Sequence, residues 1–182
     1  MAASYSVNTA STYKKIATYT VSGSSTASYT FSNLPQNFTD LVLVANWGQN
    51  SGTVRELALR FNGDTGTNYS VTELYGNGTS AVSYRRNNYA YLDIAINNPA
   101  VTNWNVNTVN IQNYSNSTTY KTVLSRHSSA ASEAEASVSL WRSTAAITSM
   151  QLVFEGAVNF LSGSTFTLYG IEAATAPKAT GG

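Results

Sequence analysis

Hydrophobic positions in this chain recur with a period of two, and turn-forming residues interrupt them at short intervals. Leu57, Leu59 and Phe61 fall on one side of an extended segment and Ala58 and Arg60 on the other, and Asn62-Gly63-Asp64 then supplies turn chemistry. The spacing predicts a strand running into a tight loop. Leu74-Tyr-Gly-Asn-Gly78 follows it, and the same grammar repeats along the chain.

Ala17, Tyr19 and Val21 share one side of a segment that begins at Lys14, and Ser22 to Ser25 turns the chain toward a short strand marked by Tyr29 and Phe31. Together these predict a hairpin. Asn33 to Asp40 is a connection. Leu41-Val-Leu-Val-Ala45 is continuously apolar, as in a strand buried on both faces. Trp47 to Gly52 reads as a loop, and Val54 to Phe61 as the next strand.

Tyr84 to Tyr91 holds three tyrosines around Arg85 and Arg86 and leads into Leu92 to Ile96, where leucine and isoleucine alternate with Asp93 and Ala95. In Trp104 to Ile111 the alternation slips near Thr108, which predicts a β-bulge or a change of buried face. Tyr120 to Arg126 is a further strand. Glu133 to Leu140 sets Ala134, Ala136, Val138 and Leu140 on one side and both glutamates on the other, with the glutamates expected on the solvated face. Ile147 to Phe154 and Ser164 to Ile171 complete the series.

Strand-like runs with breaker-rich joins, and no convincing amphipathic helix, predict an all-β fold. The expected form is a single-domain antiparallel β-sandwich, jelly-roll-like in topology. Residues 1–12 are small and polar with isolated Tyr5 and Val7 and read as an N-terminal arm; 13–173 form the sandwich; 174–182 read as a loose tail. At 182 residues the chain suits one core.

Composition narrows the function classes. Charged residues make up 10% of the chain, against about 25% in an average soluble protein, so the surface is polar without being charged. A net charge of +1 and scattered basic residues argue against nucleic acid and against an anionic membrane. With no cysteine there is neither a disulfide framework nor a thiolate zinc site. The first residues show no basic and apolar signal pattern, so the chain is expected to be soluble and made without a cleaved signal.

Candidate chemistry is sparse, and the expectation is a protein without catalysis, cofactor or metal. The loop from Asn62 to Asn68 presents one carboxylate, Asp64, where calcium prefers several oxygens, so a structural turn is the better reading. His127 is the one histidine and reads as an exposed loop residue, because no nucleophile elbow accompanies it. Glu133 and Glu135 lie on one strand, whereas glycosidase pairs face each other from separate elements. Trp47, Trp104, Trp141 and the tyrosines are more readily core or interface residues than sugar platforms. A candidate interface gathers Tyr5, Val7, Tyr84, Arg85, Arg86 and Tyr89.

Four motifs keep their order over most of residues 14 to 172: Leu59-Arg-Phe-Asn-Gly-Asp-Thr-Gly-Thr-Asn-Tyr69, Thr119-Tyr-Lys-Thr-Val-Leu-Ser125, Leu140 to Ser149, and Ser162-Gly-Ser-Thr-Phe-Thr-Leu-Tyr-Gly-Ile171. In these the chain resembles a family of small β-rich virion proteins of tailed bacteriophages. The resemblance implies a head decoration (cement) protein on the capsid surface, made in the host cytoplasm. Its implied partners are the major capsid protein and further copies of itself, with a homotrimer favoured. The alternative it implies is a tail-fibre or receptor-binding module contacting a host glycan.

Overall fold

A computed structural model describes residues 12–23, 26–50, 56–95, 104–129 and 133–172. Twelve strands are present among them: β1 (Tyr13–Thr20), β2 (Ser28–Phe31), β3 (Asp40–Trp47), β4 (Leu57–Phe61), β5 (Tyr69–Gly76), β6 (Ala81–Tyr89), β7 (Leu92–Ala95), β8 (Asn105–Ile111), β9 (Lys121–Ser129), β10 (Glu133–Trp141), β11 (Met150–Phe154) and β12 (Thr165–Ile171). The arm's residues 1–11, with Tyr5 and Val7, and the tail 174–182 lie outside the described residues.

All pairings are antiparallel and build two sheets, an eight-stranded one in the order β1-β12-β3-β8-β9-β10-β5-β6 and a four-stranded one in the order β2-β11-β4-β7. Without β5, β6, β9 and β10, the orders β1-β12-β3-β8 and β2-β11-β4-β7 are those of a jelly roll, with successive strands exchanged between facing sheets except β4 and β7, which pair in one. The two inserted hairpins, β5–β6 and β9–β10, both extend the first sheet beyond β8.

Strand alternation does not specify which sheet a strand joins, and one expectation fails for that reason. β1 and β2 are not a hairpin; they belong to opposite sheets, and Tyr19 meets Tyr29 as stacked rings 3.8 Å apart. Trp47, expected in a loop, ends β3 and is fully buried. The slip near Thr108 is not a bulge. β8 pairs in unbroken register with β3 and β9, and the pattern was disguised by Asn105 and Asn107, which occupy inward positions and are buried.

The core lies between the sheets where both are present. Leu41, Leu43, Leu57, Leu59, Phe61, Phe160, Phe166 and Leu168 are fully buried there. Beyond β8 the inner face changes character. Along β9 and β10 the buried positions include, besides Val123 and Trp141, the polar Lys121, Ser125, His127, Ser129, Glu133, Glu135, Ser137 and Ser139, and on β5 Glu73 joins them. Part of this polar layer is covered by β7, whose Ile94 carbonyl accepts hydrogen bonds from Asn107 Nδ2 and, at 3.0 Å, from Ser125 Oγ.

Candidate functional site

The inserted hairpins create two surfaces with opposite properties, an enclosed polar layer and an exposed outer face. His127 is not an exposed loop residue. It sits inside β9, its side chain is fully buried, and burial lowers its pKa to about 4, so the ring is neutral. Nε2 lies 3.2 Å from Asn105 Oδ1, and Nδ1 lies 4.0 Å from Glu133 Oε1 and 3.8 Å from Glu135 Oε2.

The expected solvated face of Glu133 and Glu135 is inverted. The glutamates point inward beside Ser137 and Ser139, and the alanines point out. The alternation was correct but its polarity was not, because an inner face lined with serine, histidine and glutamate breaks the rule that apolar residues face inward. Burial raises Glu133 to about 7. Burial and then the charge of Glu135 raise Glu73 to about 8. Among the described residues, no group of three or more His, Asp or Glu side chains is arranged to hold a metal ion.

Asp93, on a strand expected to alternate, is buried as completely as its neighbours. Burial and then the Glu56 charge raise its pKa to about 8. Arg86 Nη1 approaches Asp93 Oδ2 at 2.9 Å and its Nη2 binds Glu56 Oε1, so this arginine of the candidate interface is committed within the fold. Tyr89 is half-buried beneath that guanidinium, and its hydroxyl donates to Glu155 Oε1 at 3.0 Å. Tyr84 and Arg85 are exposed.

Asp64 plays the structural part expected of it. Its Oδ1 accepts the Gly66 amide at 2.8 Å and its Oδ2 accepts the Trp141 indole N–H at 2.7 Å. Trp47 and Trp141 are core residues, whereas Trp104 is 47% exposed.

The outer face of β9, β10, β5 and β6 is open. Cross-strand register sets Arg85 opposite Thr72, Thr72 opposite Val138, and Val138 opposite Leu124. In the adjacent row Ser83 faces Leu74, Leu74 faces Ala136, and Ala136 faces Arg126. Leu74 is 64% exposed, with Val138 and Leu124 at 46% and 40%. Three large aliphatic side chains thus stand together in water. A depression of about 610 Å³ is lined by Leu74, Gly76, Ala81, Arg126, Ala134 and Ala136, and a smaller one of about 200 Å³ by Thr72, Arg85, Val138 and Leu140.

Of the four interface candidates among the described residues, Arg85 alone belongs to this patch. Leu74, Leu124, Arg126 and Val138 were not singled out from the sequence. The available signal was the row of small and aliphatic residues at Ala134, Ala136 and Val138, which reads as a core face unless its opposite side is known to be enclosed. Compared with protein-family models, with curated proteins and with solved structures, the chain finds no match.

Proposed function

We propose that this protein is a structural component of a tailed-bacteriophage virion, a decoration protein that adheres in many copies, as a symmetric oligomer, to the outer surface of the head shell and stabilises it. The observation that carries the reading is the exposed aliphatic patch of Leu74, Leu124 and Val138 on the outer sheet face. Clustered exposed apolar side chains on a sheet mark an interaction surface. The resemblance of four ordered motifs to small phage virion proteins supports the setting.

The test is to add purified protein to heads assembled without it. Saturable binding in hundreds of copies per particle, with a raised temperature of shell rupture, is the expected result. Binding confined to a few or tens of copies at the tail, or to host-surface polysaccharide, would replace the reading with that of a receptor-binding module. Turnover of a polysaccharide by the purified chain would exclude both.

A further inference from the structure

We infer that the outer face of β9, β10, β5 and β6 is a two-point docking site for a protein surface that presents two carboxylates on either side of apolar side chains. The inference rests on the adhesive reading above and specifies its partner's chemistry.

Among the described residues of this face the charged groups are Arg85 and Arg126, and no carboxylate accompanies them. Both are exposed, and neither forms an ion pair with a described residue; Arg85 Nη1 reaches only Thr72 Oγ1 at 3.5 Å. Arg86, by contrast, is fully occupied by Glu56 and Asp93. In a chain with so few charges, two uncompensated guanidinium groups bordering the exposed apolar ridge form a charge pattern without its complement.

Their placement is defined by the register. Arg85 on β6 and Arg126 on β9 are three inter-strand steps apart and offset by one row, which places their Cα atoms about 16 Å from each other. Leu74, Ala136 and Val138 lie between them, and each arginine borders one of the two depressions. An apolar centre with arginine at its margin is the composition of protein interfaces. A guanidinium selects a carboxylate through paired N–H donors.

Other occupants fit less well. In a face-to-face contact between two copies, each arginine would meet the same carboxylate-free face, which opposes like charges. Sugar rings stack on aromatic faces, and the exposed ridge is aliphatic. A face-to-face contact between two copies is therefore disfavoured at this surface.

The test uses the full chain and heads assembled without it, scored by co-sedimentation at two salt concentrations. R85E and R126E should each weaken binding several-fold, and the double variant by at least about tenfold. R85K and R126K should keep part of it, since the ammonium retains the charge but not the paired donors. A carbodiimide should then join either new lysine to an Asp or Glu of the shell through an amide, which mass spectrometry would locate. Thermal melting confirms that each variant folds.

Heads that bind wild type and the double charge reversal equally would reject the two-point site while leaving the decoration reading intact. Wild type that ignores heads but binds purified tails would reject the head location, and the same variants on tails would then decide the site. Binding to neither, self-association abolished by L74D, or capture by a glycan surface through this face would each overturn the inference.

Discussion

The indole N–H of Trp141 donates to Oδ2 of Asp64 across 2.7 Å, tying the end of β10 in the larger sheet to the loop that leaves β4 in the smaller one. Asn68 Nδ2 binds the same carboxylate, and the Gly66 amide donates to Oδ1. Burial pushes the Asp64 carboxyl up, but the bonds from Trp141, Asn68 and Gly66 outweigh it and hold its pKa below 3.8. Asp64→Ala should cost about 1–3 kcal/mol in urea unfolding, because the Trp141 donor is left without its acceptor. The sign in pH follows. A lowered folded pKa contributes stability above the unfolded value that is lost as pH falls through the folded one, so the variant's acid limb below pH 4 should be shallower than wild type's.

Phe61 is fully buried, with Trp141 at 5.5 Å and Tyr69 at 6.4 Å between ring centroids. Phe61→Ala should cost about 3–5 kcal/mol, since surrounding rings cannot collapse into the space. A melting temperature within a degree or two of wild type would mean that the site tolerates the cavity.

The strands and the sandwich were legible because Leu57, Leu59 and Phe61 and their counterparts follow the period that a half-buried strand imposes. Where both faces of a strand are enclosed, as at Asp93, or where the enclosed face is polar, as at His127 and Glu135, alternation gives the positions but not the direction. Burial of those groups depends on which strands cover them, a property of topology rather than of local pattern. The outer face of the inserted hairpins was misread for the same reason. Its alanines, valine and leucines have a core composition, and only their exposure in the fold shows that nothing described packs over them.

The enclosed carboxyls should make the protein more stable in mild acid. Glu73 and Asp93 near 8 and Glu133 near 7 all have folded pKa values above the ordinary 4.5, 3.8 and 4.5 of these carboxyls. Each contributes stability that is complete below the unfolded value and is lost as pH rises through the folded one. His127, lowered to about 4, works in the opposite sense below its unfolded value of 6.5. Melting temperature should therefore fall between pH 6.5 and 8, and rise less steeply on acidification below 6.5. Glu73→Gln should flatten the upper part of the profile. A stability that increases from pH 6 to 8.5 would contradict the burial of these groups.

Gly170 on β12 lies against Phe38, and a Cβ at that position would clash with the phenyl ring. The neighbouring strands hold Gly170 between Lys14 and Leu41, so the backbone cannot retreat without disturbing two ladders. Gly170→Ala should cost about 1–3 kcal/mol by displacing Phe38. Pairing it with Phe38→Ala should recover part of the loss, because the clash disappears with the ring. A double variant no more stable than the sum of the two single losses would show that the strain lies in the strand and not in the ring.

Arg86 joins the β6 edge to the interior by holding Glu56 and Asp93 at once. Its side chain keeps 26% exposure while that of Asp93 has none. Arg86→Ala should cost about 3 kcal/mol, since removing one partner leaves buried carboxylates without compensation. Protonation offers those carboxyls an alternative, so the loss should shrink on moving from pH 8.5 to pH 5.5. Arg86→Lys should recover only part, because one ammonium cannot match two carboxylates through a planar fork. Equal losses at the two pH values would show that Arg86 acts through packing over Tyr89, not through charge.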